Sequence, residues 1–247
     1  MLCVASSGIA SLLLIGGRTS HMRLKIPIIL NETSICNIRK NSLEAGLLQA
    51  AKILIYDEVP MQHRHAQEAV DRTLRDIREC NKPFGGLTVV FGGDFQQILP
   101  VIVKGCRSDI VGACIQRSAI WKDLKVLHLR INMRLGDNQE EREFAQWQLN
   151  IGHGMHTDED GNITIPEQFH CPSNTIDALV DEIYPGIEEL PHPPDEYFFQ
   201  RSILSARNDS VDSLNANILR HSIVQIQSNK MALKKIFSCI LWSISTL

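Results

Sequence analysis

The sequence predicts an α/β protein built on a parallel sheet with helices on both faces, and three stretches carry that prediction. Ile53-Leu54-Ile55-Tyr56-Asp57-Glu58 and Val89-Val90-Phe91-Gly92-Gly93-Asp94-Phe95-Gln96-Gln97 are short apolar runs that end in acidic and polar residues. Unbroken apolar runs of this length read as strands buried on both faces, the pattern of a helix-covered parallel sheet. Between them Ala66, Val70, Leu74 and Ile77 recur at helical spacing, with Arg64, Asp71, Arg72, Arg75, Asp76 and Glu79 mostly on the other faces. An amphipathic helix therefore links the two strands.

The other elements follow in order. Met1 to Ala5 reads as a strand, Ser6-Ser7-Gly8 as a turn, and Ile9 to Ile15 as a helix. Asn31 to Lys40 is polar and reads as loop. Ser42 with Glu44 starts a short helix ending near Ala51. Pro83-Phe84-Gly85-Gly86 makes the turn into the second motif strand. Ser118 to Trp121 reads as a helix end, Val126 to Leu129 as a strand, and Glu140 to Leu149 as a helix with Phe144 and Trp147 in the core. Residues 153 to 200 hold many prolines and acids and read as a connector around a short helix, Ile176 to Ile183. Tyr197 to Leu204 opens a further strand, and Asn208 to Leu219 is a capped helix with Val211, Leu214 and Ile218 on one face. His63 and His65 stand one residue apart, which sends them to different faces of a helix and argues against a metal site.

A chain of 247 residues that is 44% hydrophobic can bury a substantial core. The net charge of −3 supplies no global basic field, so any nucleic-acid contact has to come from a local groove of hydroxyls, amides and a few cations such as Arg18, Arg23 and Lys25. Seven cysteines without a CxxC pair argue against zinc and against a disulfide framework, and read as reduced, intracellular thiols. No basic segment precedes the first apolar residues, so no secretory signal is expected. The apolar stretch Ile236 to Leu247 is too short for a membrane span and contains Ser238, Ser243, Ser245 and Thr246.

Ligands of parallel sheets gather at the carboxyl ends of the strands. Asp57-Glu58 and Asp94 to Gln97 should therefore share one crevice, where acids can hold a magnesium ion and activate a water beside an amide that senses a phosphate. Such a set reads as the hydrolytic half of a nucleotide-driven motor. The plainer alternative is an acid pair capping a strand end beside a polar turn.

Six stretches in fixed order add a resemblance: Ala5-Ser6-Ser7-Gly8-Ile9-Ala10, Gly16-Gly17-Arg18-Thr19-Ser20-His21, Asp57-Glu58-Val59-Pro60-Met61, Gly92 to Val101, Asn132-Met133-Arg134, and Ser202 to Asn208. Together they resemble the Pif-type eukaryotic DNA helicases, especially those associated with Helitron transposons. GGDFQQILPV is the most specific of them. The resemblance implies a RecA-like P-loop NTPase fold, ATP and Mg2+ as cofactors, single-stranded DNA or DNA junctions as partners, a nuclear location, and 5′-to-3′ unwinding in repair, recombination and telomere maintenance. It implies that Asp57 holds Mg2+ through water, Glu58 polarises the attacking water, Gln97 contacts the terminal phosphate or the attacking water, and Arg134 neutralises charge developing on the phosphate. Ser6, Ser7, Gly8, Thr19 and His21 would line the DNA track, although a turn and a surface histidine explain them as well.

Tyr56 and Val59 depart from the family's apolar residue and alanine, and both are tolerable packing changes. A larger departure is that no GxxxxGK(S/T) loop occurs in the 247 residues. The expected organisation is an incomplete first motor domain over 1–150, a connector over 151–196, the start of a second RecA-like domain over 197–222, and an unassigned tail over 223–247. Two readings of function follow: an ATP-dependent DNA helicase present as an inactive fragment, or a non-catalytic DNA-binding module or transposon relic.

Overall fold

Four strands, β1 (Leu2–Ala5), β2 (Arg18–Thr19), β3 (Ile53–Asp57) and β4 (Thr88–Phe91), form one parallel sheet in the order β2-β1-β3-β4. The computed structural model describes residues 1–133, 135–136, 138–171, 173–187, 194–205 and 207–221. Arg134, Ala206 of the sixth motif and the 223–247 tail lie outside the described residues. Two compact units divide the chain, residues 1–163 and the remainder from Thr164.

In the first unit, α1 (Gly8–Leu12) connects β1 to β2, and α2 (Ser20–Leu24) follows β2 directly. Next come α3 (Leu43–Ala50) before β3 and α4 (Arg64–Ile77) between β3 and β4. The strand–helix–strand order is what makes neighbouring strands parallel. Register decides which residues share a face: Leu2 pairs with Leu54 and Val4 with Tyr56, and those two pair onward with Val89 and Phe91. On that face Leu2, Val4, Leu54 and Tyr56 join Leu24, Leu48, Ala66, Val70, Leu74 and Ile77 in one core. Phe91 closes it, edge-on to Tyr56 (5.8 Å between centroids) and to Phe84 (5.6 Å).

The other face departs from the expectation of strands buried on both sides. Cys3 is buried, yet Val90 in the same row is 51% exposed and Ile53 38% exposed. Among the described residues the main hydrophobic cluster lies against one face of β3 and β4 only.

The turn before β4 is fixed by α4. Buried Asp71 accepts from the Phe84 N–H (2.6 Å) and from Arg75 Nε, while Arg78 donates to the Gly85 and Leu48 carbonyls (both 2.9 Å). Gly85 has φ +60, and a Cβ there would stand 2.4 Å from the Leu74 carbonyl oxygen, so helix and turn pack backbone to backbone.

Several expected elements differ. Helix α1 stops at Leu12, where the chain turns through Gly16 at φ +62. Ser118 caps a 3-10 turn over Ala119–Asp123, so it starts an element rather than ending one. Val126 to Leu129 forms no strand; its side chains at 126, 127 and 129 are 50%, 79% and 103% exposed. A strand needs a neighbouring edge for its backbone groups, and none of the four strands pairs with this stretch. After α5 (Arg107–Ala113), helix α6 (Gln139–Gly152) forms as expected, but none of its residues is buried. Phe144 and Trp147 stack on each other at 5.7 Å instead of entering a core.

In the second unit α7 (Ile176–Ile183), α8 (Asp195–Phe199) and α9 (Asn208–His221) gather around Val180, Tyr184, Ile187 and Ile218, with Tyr197, Phe198 and Ile203 against them. The expected strand from Tyr197 begins as α8, whose first turn carries Glu196, an acid well placed at a helix N-terminus.

This packing sets a stability contrast. Leu54→Ala, at a fully buried position in β3, should cost about 2–5 kcal/mol. Val90→Ala, half exposed on the neighbouring strand, should cost well under half of that. Urea denaturation midpoints of the two variants test the assignment of the core face.

Candidate functional site

Because the sheet is parallel, β1, β3 and β4 deliver their following residues to one edge: Ser6-Ser7-Gly8, Asp57-Glu58 and Gly92-Gly93-Asp94. The three loops are hydrogen-bonded across that edge. The Ser6 N–H donates to the Asp57 carbonyl (3.1 Å), the Gly92 N–H to the Tyr56 carbonyl (2.9 Å), and the Val59 N–H to the Gly92 carbonyl (3.0 Å). A Cβ on Gly92 would lie 2.6 Å from Asp57 Oδ1, and one on Gly93, at φ +148, would lie 2.2 Å from Pro60 Cδ. The two glycines of the GGDFQQ stretch are thus what lets β4's loop close over the acid pair.

Asp57 and Glu58 face different constraints. Asp57 Oδ1 accepts from the Glu58 N–H (3.0 Å), so one carboxylate oxygen orients the turn. Glu58 sits in the left-handed region (φ 55, ψ 37), uncommon for a residue with a side chain. Its carbonyl accepts from Ser6 Oγ (2.6 Å). Burial first, then the charges of Asp57 and Asp94, push the Glu58 carboxyl above its ordinary value of 4.5. A carboxylate tuned this way binds a proton more readily, which suits a group that polarises water.

Asp94 fixes its own loop, accepting from the Gln96 N–H at 2.9 Å. Gln97 donates its N–H to the Asp94 carbonyl (3.4 Å), and its side chain is exposed. The Gln96 amide reaches instead to the His153 ring, 3.1 and 3.2 Å from its two nitrogens, at the end of α6. Phe95 meets Trp121 edge-on at 5.8 Å. Of the four predicted catalytic residues, Asp57 and Glu58 are joined, Gln97 stands in the loop of the adjoining strand, and Arg134 falls outside the described residues.

The predicted DNA-track residues occupy the same edge. Ser7 Oγ caps α1 by accepting from the Ala10 N–H (3.1 Å), and Gly8 faces open space. β2 pairs Thr19 with Ala5, bringing Thr19 beside the Ser6 turn. His21 is exposed at its rim but buried enough for its pKa to fall below 6.5. Sequence reasoning missed Gln62, which is 8% exposed. Its amide bonds the Tyr56 hydroxyl, donates to Ser20 Oγ (2.8 Å) and lies 3.3 Å from His21 Nδ1, linking β3 to α2. No periodicity marks it; only burial and its partners do.

His63 and His65 also differ from expectation. His63 lies just outside α4 as its N-cap, accepting from the His65 N–H at 3.1 Å, so the rings come together at 4.2 Å instead of pointing apart. Among the described residues no group of three or more His, Cys, Asp or Glu could hold a metal ion. Asp57 and Glu58 nevertheless offer the hard oxygen donors that suit Mg2+, which commonly takes one or two carboxylates and completes its shell with water and phosphate. The six described cysteines are free thiols, and no described helix is long and apolar enough to cross a membrane.

A family model for the PIF1-like helicases matches residues 1–162. This chain belongs to that family. The ATP-dependent DNA helicase Pif1 of Psychrobacter sp. is 37% identical over 103 residues, 41% of this chain and 16% of that protein. RRM3 of Saccharomyces cerevisiae, also an ATP-dependent DNA helicase, is 36% identical over 121 residues, 48% of this chain and 16% of that protein. The Bacteroides Pif1 helicase solved with ADP-AlF3 and single-stranded DNA superposes with a TM-score of 0.62 at 22% identity, over 93% of this chain and 48% of that one. The Candida albicans Pif1 helicase gives 0.59 at 21% identity, over 89% and 44%. The PIF1-like chain therefore shares the α/β helicase fold and spans only part of the length of these relatives.

The raised Glu58 pKa has a stability consequence. A carboxyl whose folded pKa is raised favours the folded state while protonated, and that contribution is lost as pH rises from 4.5 through the folded value. Glu58→Gln should therefore melt higher than wild type at neutral pH. The difference should vanish below 4.5, where both side chains are neutral. Melting temperatures of the pair across that range check the sign.

Proposed function

We propose that this PIF1-like chain is part of an ATP-dependent DNA helicase and supplies the water-activating half of its nucleotide site. The observation that carries the reading is the interlock at the sheet edge: Asp57-Glu58 closed over by Gly92-Gly93-Asp94, with the Ser6 turn bonded to the same backbone. In this reading Asp57 holds Mg2+ through its water shell, and the ion, when bound, neutralises phosphate charge. Glu58 takes a proton from the attacking water, a role worth about 10²–10⁴ in rate. Gln97 responds to the terminal phosphate, and Arg134 stabilises the charge that develops on it. Phosphate contacts to single-stranded DNA come from Ser7, Gly8, Thr19 and His21, with Ser6 turned toward Glu58. A nuclear location, 5′-to-3′ polarity, Helitron association and roles in repair, recombination and telomere maintenance belong to the same proposal, drawn from the family resemblance and from relatives named as ATP-dependent DNA helicases. So does the division of the chain into a motor domain over 1–150, a connector over 151–196, a second-domain start over 197–222 and a tail over 223–247.

A second reading has one observation in its favour. The 247 residues contain no GxxxxGK(S/T), so the backbone amides and lysine that cradle phosphates are absent from them. By itself the chain then acts as a DNA-binding module without turnover, or is a transposon relic.

Two measurements test the proposal. Phosphate release with ATP, Mg2+ and single-stranded DNA should be at background for this chain, because acids without a cradle have no phosphate held in line. DNA-stimulated release should appear when a segment carrying the glycine-rich loop and the later helicase motifs is joined to it, and should vanish again with Glu58→Gln. Robust release from the 247 residues alone that disappears in Glu58→Gln would overturn the account of what they lack. DNA affinity, followed by fluorescence anisotropy, should be weak, greater for single strands than for duplex, indifferent to sequence, and should fall as salt rises. Tight duplex binding with a sequence preference contradicts the proposal.

A further inference from the structure

Glu58 is held in a backbone conformation that a residue with a Cβ rarely adopts, and the bonds around it show how. Its N–H donates to Asp57 Oδ1 at 3.0 Å. Its carbonyl accepts from the Met61 N–H at 3.3 Å and, at the shorter distance of 2.6 Å, from Ser6 Oγ. Ser6 is anchored where it can do this. Its own N–H donates to the Asp57 carbonyl (3.1 Å), continuing the β1–β3 ladder by one step, and its hydroxyl then reaches one residue further along β3. A serine hydroxyl has one proton to give, and of the two carbonyls within its reach, Asp57 at 3.4 Å and Glu58 at 2.6 Å, the much shorter contact is to Glu58. The neighbouring Ser7 hydroxyl accepts from the Ala10 N–H, a bond that leaves its own proton to offer elsewhere.

We propose that Ser6 is a positioning residue for Glu58: its hydroxyl straps the Glu58 carbonyl, and so holds the left-handed turn that sets the direction of the Glu58 side chain at the end of β3. The importance of the strap for catalysis rests on the reading of Glu58 as the water-activating group; its existence does not. The strap also ties the turn proposed to lie along DNA to the acid, so a shift of the Ser6 turn by a bound strand moves the group that holds Glu58.

The test is a backbone measurement on the isotopically labelled chain without nucleotide or DNA. A residue at positive φ brings its amide proton close to its own Hα, which gives a strong intraresidue NOE. Wild type should show that strong NOE at Glu58, Ser6→Ala should lose it, Ser6→Thr should keep it, and Ser7→Ala, which removes the adjacent hydroxyl, should also keep it. Ser6→Cys, close in volume and a poor donor, should lose it too, and serves if the alanine variant fails to fold. A weak NOE in wild type overturns the proposal, as does a strong one in Ser6→Ala or Ser6→Cys with other amide shifts unchanged. An equal loss in Ser7→Ala also overturns it. The functional reading fails separately: if the strap is present but Glu58→Gln leaves phosphate release from the extended chain unchanged, Glu58 is not the water-activating group.

Discussion

The close approach of Gly92 to the end of β3 is the constraint on which the rest of the site depends. Gly92 donates to the Tyr56 carbonyl and accepts from the Val59 N–H, so it brackets Asp57 and Glu58 from the neighbouring strand. Any side chain at Gly92 would enter the Asp57 carboxylate, and any at Gly93 would enter the Pro60 ring. With that contact in place, β4's loop cannot move without carrying the acid pair with it. Interlocked backbone of this kind converts a shift at one loop into a shift at the other, because packed contacts have few intermediate arrangements.

Behind the edge, the packing of α4 explains why β4 lies where it does. Asp71 and Arg78 hold the turn at Phe84 to Gly85, and the Gly85 backbone rests against the Leu74 carbonyl. Tyr56, fully buried, adds a polar anchor through Gln62, which is bonded in turn to Ser20 and lies near His21. Buried polar groups that are satisfied by one another fix a single arrangement, since any alternative leaves a donor or acceptor without a partner. The acid-bearing strand and the helix carrying His21 are therefore joined by hydrogen bonds as well as by apolar contact.

Glu58 is the point at which this edge works against stability. Its left-handed backbone and its raised carboxyl pKa both cost the folded state something, and the surrounding hydrogen bonds sustain that cost. At Asp57 one carboxylate oxygen accepts from the Glu58 amide, so this side chain organises the turn.

The sequence alone determined the parallel sheet, the amphipathic helix between the two motif strands, and the pairing of Asp57-Glu58 with the GGDFQQ loop. Each depends on a local pattern: an apolar run of strand length, a helical period, or acids at a run's end. It also determined Ser42 as a cap and a short helix at Ile176 to Ile183. Only the tertiary structure decided what depends on neighbours distant in the chain. Val126 to Leu129 has strand composition but no edge to pair with, and Tyr197 follows a helix start that outweighs its β preference. His63 leaves α4 to cap it and so meets His65, against the rule for two residues within a helix. Ser6 and Gln62 acquire their partners from the turn after β3 and from α2, fifty-two and forty-two residues away along the chain respectively. A hydrogen bond across that separation is fixed by how the strands stack, and no one-dimensional pattern records it.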